Sequence, residues 1–206
     1  MQEYLKLKPS GCKDCYKCIR SCPVKAISFA DNQAQIIEDE CILCGQCYVV
    51  CPQNAKQVRN DTQKVRDALR AGKRVVASVA PSFVTGTSFA DIEDMTDTLR
   101  QLGFAEVEET AIGAQFVSRE YERILSASNS TKGRVMISSC CPAINSLIQK
   151  YYPDLLDKLA HVLSPMQAHC KAIKEREPDA FTVFIGPCIS KKAEADAYPG
   201  YADCVL

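Results

Sequence analysis

The stretches CKDCYKCIRSCP (residues 12–23) and CILCGQCYVVCP (residues 41–52) decide the fold of the first part of this 206-residue chain. In both stretches, gaps of two, two and three residues separate four cysteines, and a proline follows the fourth cysteine. Three thiolates at this spacing can bind one face of a cubane cluster, whereas a fourth cysteine in the same loop cannot reach around it. The two stretches therefore form an internal repeat whose spacing is that of metal ligands.

Two 4Fe-4S clusters follow from the two runs, because in this pattern the fourth cysteine of each run binds the cluster of the other run. One cluster is assigned to Cys12, Cys15, Cys18 and Cys51, and the other to Cys41, Cys44, Cys47 and Cys22. Between the runs, residues 26–37 alternate apolar and polar side chains around Asp31 and Asn32, which predicts a short hairpin. This part of the chain resembles bacterial two-cluster ferredoxins, and it predicts one-electron transfer.

Zinc and disulfides are the alternative interpretations of so many cysteines. Eight of the 13 cysteines lie between residues 12 and 51, and the stretch 52–139 contains none. Structural zinc sites use cysteines in two pairs rather than a triplet followed by a fourth cysteine and proline. Disulfide frameworks are typical of exported proteins with even cysteine counts, and residues 1–10 carry no export signal. Iron–sulfur clusters are therefore the favoured interpretation.

Charge and hydropathy argue against several classes of partner. The chain has 25 basic and 25 acidic side chains, and no long run of like charge. Nowhere do about 18 uninterrupted apolar residues occur, which is the length that a membrane-spanning helix needs. We therefore expect a cytoplasmic protein with no membrane and no nucleic-acid partner.

The rest of the chain divides into a connecting helix and a larger domain. Residues 57–70 are polar and helix-prone, and Gly72 supplies a stop signal, so a connecting helix is expected over 57–72 after a module of residues 1–56. Predicted strands cover residues 74–80, 104–107, 134–138, 181–185 and 204–206, and predicted helices cover residues 92–102, 115–127, 143–151 and 165–177. This alternation predicts that residues 73–206 form an α/β domain with a mostly parallel sheet, following an α+β cluster module.

Further cysteines are placed at the ends of two predicted strands. Cys140 and Cys141 directly follow one strand and Cys188 follows another, with Lys191 and Lys192 just beyond. Function in open α/β sheets collects where strands end, so these thiols are candidate ligands. The alternative is that they are small buried apolar groups beside a solvated lysine pair.

The combination of cluster module and strand-end cysteines resembles the large subunit of iron-only hydrogenases over essentially the whole chain. The segments that carry the resemblance are SSCCP (138–142), GPCISKK (186–192), YYPDLL (151–156), the strand end at Ala80, and Ser164 with Pro165. The family's third signature segment, which is rich in glycine and holds two further cysteines, does not occur in residues 1–206. Residues 73–206 therefore look like part of a hydrogenase domain.

The resemblance implies roles for individual residues. Cys141 and Cys188 would bind the cubane half of a hydrogen-activating di-iron cluster, and Cys140 would be the proton relay. The Lys191 ammonium would hold ligands of the di-iron half. The pocket would also be walled by Ala80, Pro81 and Ser82. Because the third segment is missing, this cluster is expected only in a longer chain.

Several positions depart from the family pattern. Ile144 stands where tryptophan is usual, Gly186 where methionine is usual, and Met166 where the pocket usually has a polar residue. Ala160 replaces the serine of the usual proton path, which leaves Glu120 as the candidate acidic relay. Such losses favour a hydrogen-sensing relative over a high-turnover enzyme.

Three functions remain open on this evidence. The first is a hydrogenase or hydrogen sensor, which in a longer chain would interconvert H2 with protons and electrons. The second is a ferredoxin-type electron carrier or scaffold with a degenerate hydrogenase-like lobe. The third is an iron–sulfur assembly factor, against which the eight intact cysteines of the repeat count.

Residues 1–206 alone are expected to exchange electrons with a redox partner protein or another electron carrier, without hydrogen turnover. We also expect an exposed sheet edge at residues 204–206, which would favour self-association. Both histidines and the two remaining thiols are expected to be packing or surface groups rather than ligands. They are His161, His169, Cys170 and Cys204.

Overall fold

The N-terminal part of the computed structural model combines two short helices with two antiparallel strand pairs. The structure describes residues 4–8, 11–86, 89, 91–127 and 135–206. Strand β1 (Leu5–Leu7) pairs with β4 (Lys56–Val58), and β2 (Ile27–Ala30) pairs with β3 (Gln33–Ile36). Helices α1 (Lys17–Ser21) and α2 (Gln46–Val49) each lie within one of the cysteine runs.

The predicted hairpin between the cysteine runs is confirmed by β2 and β3. Its two-residue turn is formed by Asp31 and Asn32, whose φ angles are 50° and 56°. A two-residue hairpin turn with positive φ at both positions matches the right-handed twist of the strands, and Asn and Asp tolerate that conformation. The hairpin packs into a small core that includes Leu5, Ile27 and the ligand candidates Cys18, Cys22 and Cys47.

The connecting helix is shorter than the sequence predicts. Helix α3 spans Thr62–Arg70, whereas Gln57 lies in β4 and pairs with β1. The expected boundary between residues 56 and 57 therefore falls inside a strand. The physical reason is that pairing with β1 satisfies the backbone of residues 56–58, which outweighs their helix propensity.

The C-terminal part is built on a four-stranded parallel sheet, as predicted. Its strand order is β6 (Glu106–Glu109), β5 (Val75–Val79), β7 (Phe181–Ile185) and β8 (Cys204–Val205), and every pairing is parallel. The central strand β5 is buried along its whole length, which is typical of a parallel sheet covered on both faces.

Helices cover the sheet and connect its strands. They are α4 (Phe83–Gly86), α5 (Ile92–Gln101), α6 (Ala111–Ala127), α7 (Pro142–Tyr151), α8 (Pro165–Arg176) and α9 (Ser190–Ala197), with a 3₁₀ helix at Pro153–Lys158. Helices α6 and α8 cross closely at Gly113, where an added Cβ atom would lie 2.1 Å from the Pro165 carbonyl oxygen. No helix of the described residues is long and apolar enough to cross a membrane.

Two strand predictions are corrected by the structure. Arg134 lies outside the described residues, and within 135–138 only an isolated bridge from Ile137 to Leu159 forms, so the expected strand is absent there. Val135 is 63% exposed, which shows that this segment has no covering layer of the kind a central parallel strand requires. The strand expected at residues 104–107 lies two residues later, because Phe104 packs into the core before the strand begins.

The sheet edge at β8 is covered rather than exposed. Cys204 and Val205 are 3% and 2% exposed, and the Lys192 ammonium of α9 donates a hydrogen bond to the Val205 carbonyl. Because α9 covers this edge and both residues are buried, an incoming strand has no access to their backbone groups. The prediction of an exposed sheet edge is therefore wrong. Self-association stays a prediction, but an exposed edge no longer supports it.

The residues expected to have packing roles are mostly buried. His169 is 1% exposed, and its ring nitrogens contact Ser78 Oγ at 2.8 Å and Glu108 Oε2 at 2.9 Å. Burial raises the pKa of Cys170 to about 12 and the pKa of Cys204 to about 11. These two thiols are therefore protonated at neutral pH and unreactive.

Candidate functional site

Four cysteines from both runs line one cavity of the N-terminal part, which we call the first cavity. They are Cys12, Cys15, Cys18 and Cys51, the set assigned to one cluster from the sequence. Apolar side chains such as Leu7, Phe29 and Ala34 also line it, together with Asp14, Gln53 and the buried Lys56. The Ala55 amide donates to Cys51 Sγ over 3.3 Å, a contact that can stabilise a thiolate.

A second cavity is lined by the other four cysteines of the repeat. They are Cys22, Cys41, Cys44 and Cys47, together with apolar residues such as Leu5 and Ile27. The Leu43 amide donates to Cys41 Sγ over 3.4 Å. Each cavity thus offers four soft sulfur donors, and this donor set fits a 4Fe-4S cluster.

The thiols of both cavities are free of disulfides. All 13 cysteines of the chain are described, and none is paired. Burial raises the pKa of Cys47 to about 11, and it also raises the pKa values of Cys18 and Cys41. Because only thiolates bind metal, the loading of these sites must release protons. Among the described residues, no three or more His, Cys, Asp or Glu side chains lie close enough together to hold a single metal ion.

The second cavity adjoins the segment that carries Cys188. Gly45 lies between two of its cysteines, and an added Cβ atom there would be 3.2 Å from Ile189 Cδ1. Ile189 directly follows Cys188 and belongs to the same core as Cys22 and Cys47. The close approach to Ile189 and the positive φ of 79° both favour glycine at this position.

Helix α7 forms another connection to the second cavity. Near its C-terminus, the Lys150 ammonium donates to the Cys41 carbonyl over 2.8 Å, and the Tyr151 hydroxyl donates to the Glu40 carbonyl over 2.8 Å. At its other end, Cys141 is the N-cap residue and is exposed. The helix therefore joins the Cys141 position to the loop that begins the second cysteine run.

Cys140 and Lys191 are brought together by the fold. The Lys191 ammonium donates to the Cys140 carbonyl over 3.2 Å and to Glu194 Oε2 over 2.7 Å. Glu194 also accepts a hydrogen bond of 3.0 Å from Ser164 Oγ, which is the N-cap residue of α8. The ion pair of Lys191 and Glu194 is nearly buried, so the position of the ammonium is fixed.

The other predicted pocket residues lie at the same end of the sheet. The Ala80 amide donates to the Ile185 carbonyl over 2.8 Å, so the chain segments after β5 and β7 run side by side there. Pro81 and Ser82 follow directly, and Cys188 lies two residues beyond Gly186. The Cys188 thiol contacts Ser190 Oγ at 3.1 Å.

The departures from the family pattern have structural counterparts. A Cβ atom at Gly186 would lie 2.8 Å from the Phe184 ring and 2.9 Å from Ala80 Cβ, so the usual methionine does not fit. Met166 is 1% exposed and packs in the core with Phe184, away from solvent. Ile144, where the resemblance implies tryptophan, is 39% exposed.

Tyr121 is the neighbour of Cys140 that sequence reasoning missed. Its hydroxyl lies 3.4 Å from Cys140 Sγ and 3.0 Å from Ser138 Oγ, and it accepts a 3.1 Å bond from the Ser139 amide. Glu120 instead pairs with Arg123 at 2.6 Å, and this pairing lowers the pKa of Glu120. Tyr121 is adjacent to Glu120 on α6, but only the tertiary structure shows which of the two side chains reaches Cys140.

Thiols grouped in fours, with no disulfide among them, are characteristic of iron–sulfur electron-transfer proteins, and the chain belongs to this class. Residues 73–206 match the family described as "Iron only hydrogenase large subunit, C-terminal domain", and residues 4–52 match a "4Fe-4S dicluster domain". The chain is therefore a member of the iron-only hydrogenase large subunit family.

Individual relatives show the extent of the similarity. Iron hydrogenase 1 of Clostridium pasteurianum is 31% identical over 93% of this chain and 39% of that protein. The NADP-reducing hydrogenase subunit HndD of Solidesulfovibrio fructosivorans is 28% identical over 83% of this chain and 33% of that protein. The chain thus spans well under half the length of these two relatives.

A solved structure also matches. It is an FeFe-hydrogenase structure concerned with oxygen inactivation through modification and degradation of the 2Fe subcluster of the H cluster. It matches with a TM-score of 0.52 and 25% identity, over 70% of this chain and 45% of that chain.

Proposed function

We propose that residues 1–206 form the electron-transfer part of an iron-only hydrogenase or a hydrogen-sensing relative, acting in the cytoplasm. The observation that carries the proposal is that the eight cysteines of the repeat separate into two groups of four, each around its own cavity. Each group would hold one 4Fe-4S cluster, with Cys22 and Cys51 crossing between the runs. Electrons would then pass one at a time through the module.

The contacts of the second cavity support an order for the two clusters along the electron path. Ile189 packs against Gly45, and Lys150 bonds to the Cys41 carbonyl, so the second cluster would lie next to the Cys188 segment. Helix α7 has ten residues and is therefore about 15 Å long. The second cluster would connect to the hydrogenase lobe, and the first would exchange electrons with a partner.

The hydrogen-activating site would be built on Cys141 and Cys188. When bound in a longer chain, a di-iron cluster with its attached cubane would supply reversible H2 oxidation and proton reduction. Cys140 would hold or pass a proton at its sulfur, and the Lys191 ammonium would donate hydrogen bonds from the position that Glu194 fixes. Ala80, Pro81 and Ser82 would exclude water from the same pocket.

A sensing role is favoured over high turnover by the surroundings of Cys140. Glu120 is paired with Arg123, and Ala160 offers no hydroxyl, so the usual acidic relay has no evident counterpart here. A slow proton supply limits turnover but does not prevent the detection of H2. A pure electron carrier with a degenerate lobe is the second candidate, because residues 1–206 supply only two cysteines at the catalytic position.

Iron and sulfide analysis tests the cluster assignment. Anaerobically reconstituted protein is expected to hold about eight irons and eight acid-labile sulfides per chain, because two cubanes contain that number. The variant Cys204→Ala, which lacks a buried thiol outside both cavities, should hold the same amount. Stoichiometric zinc without sulfide would contradict the proposal.

A further inference from the structure

A buried lysine interrupts the symmetry of the internal repeat. Ile27 and Lys56 occupy the same position of the repeat, five residues after the fourth cysteine of each run. The backbone repeats as well, because Lys25 and Asn54 have φ angles of 59° and 49°, and each lies two residues before the start of a strand. Both repeated side chains are buried, with Ile27 6% exposed and Lys56 2% exposed. The second half of the repeat therefore places a cationic side chain where the first half has an apolar one.

Lys56 lies in the wall of the first cavity. Its ammonium donates to the carbonyl of Ala34, which lines the same cavity, over 3.5 Å. Leu7, its partner in the pairing of β1 with β4, is also a wall residue. No carboxylate of the described residues forms an ion pair with this ammonium, and Asp14, which lines the cavity too, is exposed. Within the part of the chain that the structure describes, the charge of Lys56 therefore has no buried counter-charge.

The two cavities differ in the charge that they contain. Among the described residues, the lining of the second cavity includes no charged side chain, and Ile27 occupies the position that corresponds to Lys56. Burial raises the pKa values of Cys18 in the first cavity and Cys47 in the second, and the positive charge of Lys56 is the main influence that lowers them. A charge that favours thiolates also favours the additional negative charge of a reduced cluster. Because Lys56 lines the first cavity, its effect should be stronger there.

We propose that the buried charge of Lys56 raises the reduction potential of the first cluster above that of the second. This inference rests on the proposed function, because it needs a cluster in each cavity. Reduction adds one electron to a cluster, and a nearby cation stabilises that added charge most where little water screens it. One electron then leaves the reduced second cluster and enters the oxidised first cluster in a downhill step. Lys56 thereby favours electron flow out of the hydrogenase lobe, which is the direction that H2 oxidation requires.

Potentiometric titration followed by EPR measures both reduction potentials in the loaded protein. Wild-type protein is expected to take up two electrons in separate steps, with the first cluster reduced at the higher potential. The variant Lys56→Met keeps a long unbranched side chain but removes the charge. We expect its equilibrium constant for the higher-potential step to fall about tenfold, which corresponds to about 59 mV for one electron. The lower potential should shift less, so the two steps should move closer together.

Two control variants separate the buried charge from other effects of substitution. Lys56→Arg retains a cation at the same position, and both potentials should stay near the wild-type values. Lys17→Met removes an exposed cation that directly precedes the ligand candidate Cys18. Because water and salt screen an exposed charge, its shift should be clearly smaller than that of Lys56→Met. Equal shifts in Lys17→Met and Lys56→Met would contradict a special role for the buried lysine.

Iron and sulfide content keeps this test separate from that of the proposed function. If wild-type protein takes up no clusters, the proposed function itself fails. If wild type and Lys56→Met both load fully, unchanged potentials or equal shifts of both potentials would overturn only the role of Lys56. Should Lys56→Met lose the first cluster, Lys56→Gln replaces it, because its amide can still donate to the Ala34 carbonyl. The same fall of the higher potential is expected for that variant, and its absence would overturn the proposal.

Discussion

Cys22 belongs to the first cysteine run, yet it lines the second cavity with three cysteines of the other run. The reason is local, because α1 ends at Ser21 and the chain then extends away from the loop that precedes the helix. Cys51 lies two residues after the end of α2, beyond the C-cap residue Val50, and it lines the first cavity. The positions of these two fourth cysteines are the observation that supports the proposed crossed ligation.

Pairs of substitutions test the crossing directly. If Cys22 and Cys41 bind the same cluster, Cys22→Ser/Cys41→Ser should lose one cluster and retain about four irons. Cys22→Ser/Cys12→Ser should then lose both clusters, because each substitution removes a ligand from a different site. Iron and sulfide analysis with low-temperature EPR measures both outcomes. The reverse pattern would show that each run holds its own cluster.

At the scale of elements, a buried ion pair joins α9 to the segment before α3. The Lys192 ammonium lies 2.9 Å from Asp61 Oδ2, with side-chain exposures of 7% and 3%. Arg59 also bonds to Asp61 over 2.9 Å and to Asp196 over 2.6 Å. Because Lys192 reaches the Val205 carbonyl as well, this group fastens the cluster module, α9 and the sheet edge together.

Removal of the Asp61 carboxylate should destabilise the protein. Asp61→Ala leaves the Lys192 ammonium buried without its partner, which costs about 3–5 kcal/mol. The comparison variant Asp67→Ala removes an exposed carboxylate 3.8 Å from Arg70, and it should change stability by less than about 1 kcal/mol. Thermal unfolding of fully loaded protein measures both, and equal shifts in Tm would contradict a buried fastening role.

The stability that the Asp61 ion pair contributes should decrease in acid. Burial alone would raise the pKa of Asp61, but the hydrogen bonds from Lys192 and Arg59 outweigh it and hold the pKa below the ordinary value. The stabilisation is therefore fully present above the unfolded pKa of about 3.9 and is lost as pH falls through the lower folded value. The difference in Tm between wild type and Asp61→Ala should thus be constant near neutral pH and shrink in acid. A difference that grows in acid would contradict this assignment.

At the scale of the whole molecule, the two four-cysteine cavities contrast with the incomplete ligand set of the hydrogenase-like site. A cubane needs four protein ligands, and residues 1–206 offer Cys141 and Cys188 at that site. Cys141 is exposed, so nothing in the described residues shields it from water. In the proposed function, electron transfer by the cluster module would therefore not require hydrogen chemistry at Cys141 and Cys188.

A protein of residues 1–206 is expected to exchange electrons without evolving hydrogen. The assay measures hydrogen from a reduced low-potential dye, before and after addition of a synthetic di-iron precursor. Oxidation of the same dye by the loaded clusters, followed by absorbance, serves as the positive control for electron transfer. Measurable hydrogen would mean that Cys141 and Cys188 find further ligands within these residues.

The sequence predicted those elements whose conformation depends on residues close by in the chain. The hairpin at Asp31 and Asn32, strand β7 and helices α5 and α7 were predictable, because turn chemistry and hydrophobic periodicity act over a few residues. The cysteine spacing likewise limits which thiols can share a cluster. The strand expected at residues 134–138 is absent over the described residues 135–138, and the helix start expected at residue 57 was wrong. Sheet neighbours from distant parts of the chain decide such assignments.

Only the tertiary structure decided which groups meet across the fold. Tyr121 lies beside Cys140 and Ile189 lies against Gly45 through packing between elements far apart in sequence. Lys192 covers the sheet edge that the sequence left open, because its long side chain reaches a carbonyl 13 residues away. The cysteine spacing therefore determined which residues are candidate ligands, whereas packing determined which side chains surround them. The reason is that contact energies fall off within a few ångströms and depend on the folded arrangement.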